Sequence, residues 1–166
     1  MPDTPDESES TGTEARLVEL SDRRRSVPDE LTIKMERGAR VLVFSDLRLT
    51  NAATDITREV TRTVARPIEE CRGPGVVVLA GDVFDLRDGT DIESALASHS
   101  RLATALATFV AGPDHRLVVL PGTRDRALAY DTRVVDAINA IGGEVALTCA
   151  LEVDTGAGTA SVLGSV

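Results

Sequence analysis

Aromatic residues make up only 2% of this chain and tryptophan is absent, so any hydrophobic core must be built from Val, Leu, Ile and Ala. The only two cysteines, Cys71 and Cys149, sit in no C-x-x-C or Cys/His cluster. That argues against a zinc finger or a dithiol redox motif and leaves both as small core or half-buried residues. No run reaches the roughly 18 apolar residues of a membrane helix. The N-terminus also lacks the basic region and apolar stretch of a signal peptide, so a cytoplasmic location is the default expectation. Positive charge is in deficit: the net charge is −9 and the pI is near 4.7. A general nucleic-acid binder needs a basic face to displace counterions from phosphate, and that class is excluded along with attachment to an anionic membrane.

What is present is enough for one domain, since 42% of the 166 residues are hydrophobic and a chain of that length can bury a substantial core. Residues 1 to 27 are rich in Asp, Glu, Ser, Thr and Pro and carry too little apolar surface to offset the entropy of ordering. They read as a disordered acidic tail, with Arg23-Arg24-Arg25 as a solvated charge cluster. The domain then spans 28–166.

Three apolar runs dominate that domain, and each leads to an acid: Val41-Leu42-Val43-Phe44-Ser45-Asp46, Val76-Val77-Val78-Leu79-Ala80-Gly81-Asp82, and Leu117-Val118-Val119-Leu120-Pro121-Gly122-Thr123-Arg124-Asp125. Continuous apolar runs separated by helical segments imply buried parallel strands of one sheet. Their exits should lie along one carboxyl edge, where open α/β sheets place ligands.

The remaining elements follow from local signals. Leu31–Met35 alternates and precedes Arg37-Gly38, suggesting a hairpin into the first buried strand. Residues 54–71 read as a helix capped by Thr54 or Asp55, with Pro67 kinking or splitting its last third. Thr90-Asp91-Ile92-Glu93 reads as a capping box. It opens a helix that carries Ile92, Leu96, His99, Ala103, Leu106 and Val110 on one face and ends at Gly112-Pro113. His99 is thus expected as a hydrogen-bonded core or boundary residue, and His115 as a solvated loop residue. A helix over 131–141 ends at Gly142-Gly143, a strand follows over 144–153, and Asp154–Gly158 turns the chain into a last strand over 159–166.

With the strands adjacent, Asp46, Asp82, Asp85 and Asp125 converge on one rim. Two unit charges 4 Å apart at an effective dielectric near 20 repel by about 4 kcal/mol, so such a cluster needs a neutraliser, either divalent metal or arginine.

These residues resemble the calcineurin-like metallophosphoesterases, whose pattern is Asp-x-His, Gly-Asp-x-x-Asp and Gly-Asn-His-Asp/Glu after three successive strands, followed by later histidines including a Gly-His-x-His. Here Asp46-Leu47-Arg48, Gly81-Asp82-Val83-Phe84-Asp85 and Gly122-Thr123-Arg124-Asp125 stand at those motifs in order. The resemblance covers residues 39–166. It implies an α/β fold with a metallophosphoesterase-like layered sheet and flanking helices. It also implies Asp46 as a ligand of one metal, Asp82 as the bridge between two, and a Mn, Fe, Zn or Mg cofactor if the site is metallated. Arg124 and Asp125 occupy the catalytic positions of the third motif, with Asp85, Gly81 and Gly122 in support.

The chain departs from the pattern at three positions. Arg48 replaces a histidine ligand, Thr123 an asparagine ligand, and Arg124 the histidine that protonates the leaving group. Arginine does not coordinate metal, and its pKa rules out that acid role near neutral pH. The distal histidines are also missing, and the end of the sequence within an apolar run leads to the expectation of a domain truncated there, with Leu163-Gly164-Ser165-Val166 as an eroded remnant. The implied reading is a phosphoesterase domain impaired in catalysis, its acids neutralised by guanidinium groups. The alternative is a non-catalytic module that holds a phosphorylated small molecule or a protein partner through Arg48, Arg124 and Arg126, because arginine donates bidentate hydrogen bonds to phosphate. An unrelated nucleotide-binding domain lacks support, since neither G-x-G-x-x-G nor Gly-Lys-Ser/Thr is present.

Overall fold

A computed structural model describes residues 30–148 and 150–163. The expected acidic tail, Cys149 and the last three residues of the chain lie outside the described residues.

The three apolar runs form β2 (Arg40–Phe44), β3 (Gly75–Ala80) and β4 (His115–Leu120). They pair in parallel as expected, Val41 opposite Val76 and Val77 opposite Leu117. β5 (Gly143–Val145) adds to β4 in parallel, completing a four-stranded sheet of order β2-β3-β4-β5. β3 is central and apolar throughout because both of its faces are covered. Val77 and Leu79, with Leu117 and Val119, pack into the helical side, whereas Val76 and Val78, with Val118 and Leu120, pack against Ile33, Leu151, Val153 and Val162 of a second sheet. The domain is therefore layered as helices, sheet, sheet, with strand alternation deciding which layer each valine feeds.

That second sheet consists of β1 (Glu30–Lys34), β6 (Ala150–Asp154) and β7 (Thr159–Leu163), in the order β1-β6-β7. It corrects two expectations. β1 does not form a hairpin with β2; it pairs in parallel with β6, Ile33 opposite Val153. The expected strand over 144–153 is two strands in different sheets, joined through Thr148, whose hydroxyl donates to the Ala150 carbonyl at 2.8 Å. The β6–β7 hairpin turns at Asp154–Gly158 as the sequence indicates.

Among the described residues four α-helices cover the other face. α1 (Asp55–Glu69) buries Thr61, Val64, Ala65 and Ile68, the i, i+3, i+4, i+7 stripe. Its cap is Thr54, which exchanges hydrogen bonds with Thr57 in a capping box, and the helix runs through Pro67 without splitting. Pro67 has no amide to offer the Thr63 carbonyl, so the helix forgoes one hydrogen bond there without ending.

The helix expected over 91–111 is broken at His99 (φ −118°, ψ 47°) into α2 (Ile92–Ser98) and α3 (Ser100–Val110). Its cap is Asp91, accepting from the Ser94 amide at 2.7 Å, rather than the Thr90/Glu93 box. His99 is buried as expected, but neither ring nitrogen has a hydrogen-bond partner. Burial pushes its imidazole pKa down, opposed by the nearby Thr50 backbone. His115 is not a solvated loop residue. It opens β4, stacks on Phe109 with ring centroids 4.2 Å apart, and brings its ring nitrogens within 2.7 and 2.8 Å of the Phe109 and Gly73 carbonyls. A short 3-10 turn (Arg126–Ala129) then leads to α4 (Thr132–Ala140), capped by Asp131. Cys71 is buried in the helical core cluster. Among the described residues no helix is long and apolar enough to cross a membrane.

Candidate functional site

The three loops that leave β2, β3 and β4 are tied together by their own backbones. The amides of Asp46, Arg48 and Leu49 donate to the carbonyls of Gly81, Asp82 and Val83 at 3.1, 3.1 and 2.8 Å, and the Asp85 amide returns to Leu49 at 2.9 Å. Leu49 and Phe84, both fully buried, form an isolated parallel bridge that carries the β2–β3 pairing past the strand ends. On the other side the Leu86 amide donates to the Arg124 carbonyl at 3.3 Å. Gly122 is required where these loops meet, since a Cβ there would lie 2.4 Å from the Asp82 nitrogen and 2.6 Å from its Oδ1.

Asp125 is the fastener. It is fully buried, and its carboxylate accepts from the amides of Gly122 (2.6 Å), Val83 (2.9 Å), Asp82 (3.2 Å) and Phe84 (3.2 Å). Burial raises its pKa, against the pull of those four donors. Asp125 therefore does not stand in the rim cluster with the other acids, as the strand-exit pattern suggested. It lies beneath them and holds the second and third motifs in register.

The exposed part of the rim is held in uncommon backbone geometry. Asp46, Arg48 and Asp82 have φ of 56°, 51° and 53°, the left-handed region that Asp tolerates and that costs a residue such as arginine about 1 kcal/mol or more. The conformation turns the Arg48 side chain back onto its own loop. Its Nε and Nη2 donate to the two Asp46 carboxylate oxygens at 2.6 and 3.1 Å. That hydrogen bonding holds the Asp46 carboxyl below its usual range. Asp85 is gripped twice, by Arg87 Nε and Nη2 at 2.7 Å each and by Arg124 Nη1 at 2.9 Å. The Arg87 hydrogen bonds, aided by Arg124, hold Asp85 far below the ordinary aspartate value. Asp82 Oδ1 accepts the Arg124 backbone amide at 2.7 Å.

The expected ion pairing of the rim arginines is thus met by Arg48 on Asp46, while the Arg124 guanidinium reaches Asp85 rather than Asp46 or Asp82. Thr123 is exposed, and Arg126, also exposed, makes no ion pair among the described residues. Gly81, with φ 73°, supplies the turn that precedes Asp82. Neither histidine joins the rim: His115 is at the opposite end of β4, and His99 lies between two helices.

Arg87 escaped the sequence reading. Its signal was an internal echo, since Asp46-Leu47-Arg48 and Asp85-Leu86-Arg87 are the same tripeptide and fold into the same clasp, in which arginine two residues on grips both carboxylate oxygens. Asp131 and Arg133 repeat the arrangement at the cap of α4, at 3.3 and 3.0 Å.

A divalent cation does not fit this set. Coordination needs free carboxylate oxygens with imidazole or amide partners. Here both oxygens of Asp46 and of Asp85 accept from guanidinium, one of Asp82 accepts from an amide, and Asp125 is fully engaged by backbone. Three guanidinium groups, those of Arg48, Arg87 and Arg124, offset the three rim carboxylates charge for charge. No protein-family model, curated protein or solved structure matches the chain.

Proposed function

We propose that this chain is a metallophosphoesterase-like domain in which arginine–aspartate ion pairs stand where that family places its metals, and that it works by binding rather than by hydrolysis. The observation that carries this reading is the Arg48–Asp46 clasp, with Nε 2.6 Å from Oδ1. Its two residues are those that the Asp-x-His motif would devote to a metal, and here they neutralise each other. Arg124 supports the same reading from the third motif: it is a permanent cation at the position of a general acid, and its charge is spent on Asp85. A metal-dependent mechanism would activate water between two cations, and a rim already neutralised by guanidinium groups offers little attraction for them. The occupant the reading calls for is a phosphorylated molecule or a protein partner.

With Mn or Mg present, the purified chain should turn over neither an aryl phosphate nor a bis-aryl phosphate above the rate of a heat-denatured sample. Arg48→His, Thr123→Asn and Arg124→His together should raise metal affinity, because they restore ligand types and remove two repelling charges, yet turnover should stay poor without the distal histidines. Robust metal-dependent hydrolysis by the unmodified chain, abolished by Asp82→Asn, would overturn the proposal.

A further inference from the structure

A second concave site lies on the helical layer, independent of the rim. A cleft of about 220 Å³ between α1 and the start of α3 is lined by Arg58, Arg62, Arg101, Ser98, Ser100 and His99, with Thr61 as its remaining wall. No carboxylate lines it, although the chain carries nine net negative charges. A cleft of about 530 Å³ beside the rim is, by contrast, edged by three carboxylates, Asp91, Glu93 and Asp131, against one guanidinium, Arg133.

The local sequence explains why cations collect there. Arg58 and Arg62 are one turn apart on α1 and therefore share a side of that helix. The break at His99 starts an eleven-residue helix, α3, with no side-chain cap, so its first amides lack intrahelical acceptors and present the positive end of the helix dipole. His99 forms the floor of the cleft, 3% exposed and with both ring nitrogens sealed from solvent, so the polar groups open to an occupant are those of the arginines, the serines and the first α3 amides. The three arginines pair with Asp55, Glu59 and Glu69 outside the cleft. Arg58 and Arg62 make single, solvent-exposed i,i+3 contacts that cost little to exchange for a doubly charged acceptor, whereas Arg101 holds both Glu69 oxygens and exchanges them only for a comparably bidentate anion.

We propose that this cleft binds the dianion of a phosphate monoester, its oxygens taken by the Arg58, Arg62 and Arg101 forks and by the α3 N-terminus, where arginine geometry suits phosphate. The test is a titration of the full chain with inorganic phosphate and with glycerol 3-phosphate, followed through the backbone amide resonances of Ser100, Arg101 and Leu102, with chloride at matched ionic strength as control. Saturable shifts are expected for both phosphates and not for chloride. Arg62→Gln with Arg101→Gln should weaken binding by about tenfold or more for each guanidinium removed, while Arg116→Gln, whose guanidinium pairs with Glu144 of β5, leaves it unchanged. Tighter binding of glycerol 3-phosphate than of phosphate assigns the cleft to a soluble ester. Co-sedimentation with phosphatidate vesicles, lost in the double variant, assigns the same chemistry to a lipid headgroup. Shifts matched by chloride, binding indifferent to the double variant, or binding abolished by Arg116→Gln would each overturn the proposal.

Discussion

Replacing Asp125 with alanine is expected to lower the stability of the domain by about 3–5 kcal/mol, because three buried backbone amides and one half-buried one would lose their only side-chain acceptor at once. The carboxylate accepts from Gly122, Asp82, Val83 and Phe84, so the loss falls on two loops and on the Leu49–Phe84 bridge that depends on their register. A domain of this size has on the order of 5–15 kcal/mol in total, and a change of this kind approaches the unfolding limit. Asp125→Asn should fall between the two, since an amide keeps one acceptor oxygen but points an NH₂ at donors. Urea unfolding followed by circular dichroism measures the effect. As a control, Asp46→Asn, at an exposed position where asparagine tolerates the left-handed backbone and only the own-loop arginine pair is lost, should leave the midpoint nearly unchanged. A midpoint shift for Asp125→Ala no larger than that of the control would show that Asp125 does not fasten the loops.

Asp85 should dominate the acid sensitivity of the rim. Its pKa in the folded chain is held far below the ordinary aspartate value by Arg87 and Arg124, so the unfolded state binds a proton at a higher pH than the folded state. The stability from this group is fully present above the unfolded value near 4 and is lost as pH falls from there toward the folded value. The Asp85 and Arg124 side chains are only 16% and 26% exposed, which keeps their pair from being screened as surface pairs are. Arg87 is 57% exposed and contributes less. Asp85→Asn should therefore cost about 1–2 kcal/mol at pH 7 and flatten the fall in stability between pH 4 and pH 2. The slope that remains belongs to Asp46, Glu69, Asp91 and Asp131, each held low by a hydrogen-bonding partner. An acid slope identical in the variant and the parent chain would contradict the assignment.

The parts of this fold that were legible in the sequence are those set by local chemistry. The runs at Val41, Val76 and Leu117 announce parallel strands because both faces of such strands are covered, and the acids after them mark the carboxyl edge. Thr54, Gly142 and the Asp154–Gly158 turn likewise bound their elements by capping and turn preferences that act within a few residues. What stayed hidden depended on distant partners. The alternation of Leu31–Met35 signals a half-buried strand but cannot say that its neighbour is β6, about 120 residues away. The apolar period from Ile92 to Val110 continues through His99, so nothing in it reveals the break. In the rim, four aspartates look alike as letters. Only the packed structure separates Asp125, which is buried and bound to amides, from Asp46 and Asp85, which are clasped by arginines, and only there does the repeated Asp-Leu-Arg acquire a meaning.

We propose that guanidinium groups take the electrostatic role of metals at this edge, and calorimetric titration of Mn²⁺ into the metal-free chain near neutral pH tests it. No saturable heat is expected at millimolar Mn²⁺ for the unmodified chain, and a measurable binding isotherm is expected once Arg48→His, Thr123→Asn and Arg124→His are combined. Stoichiometric Mn²⁺ binding by the unmodified chain, lost on Asp82→Asn, would contradict it.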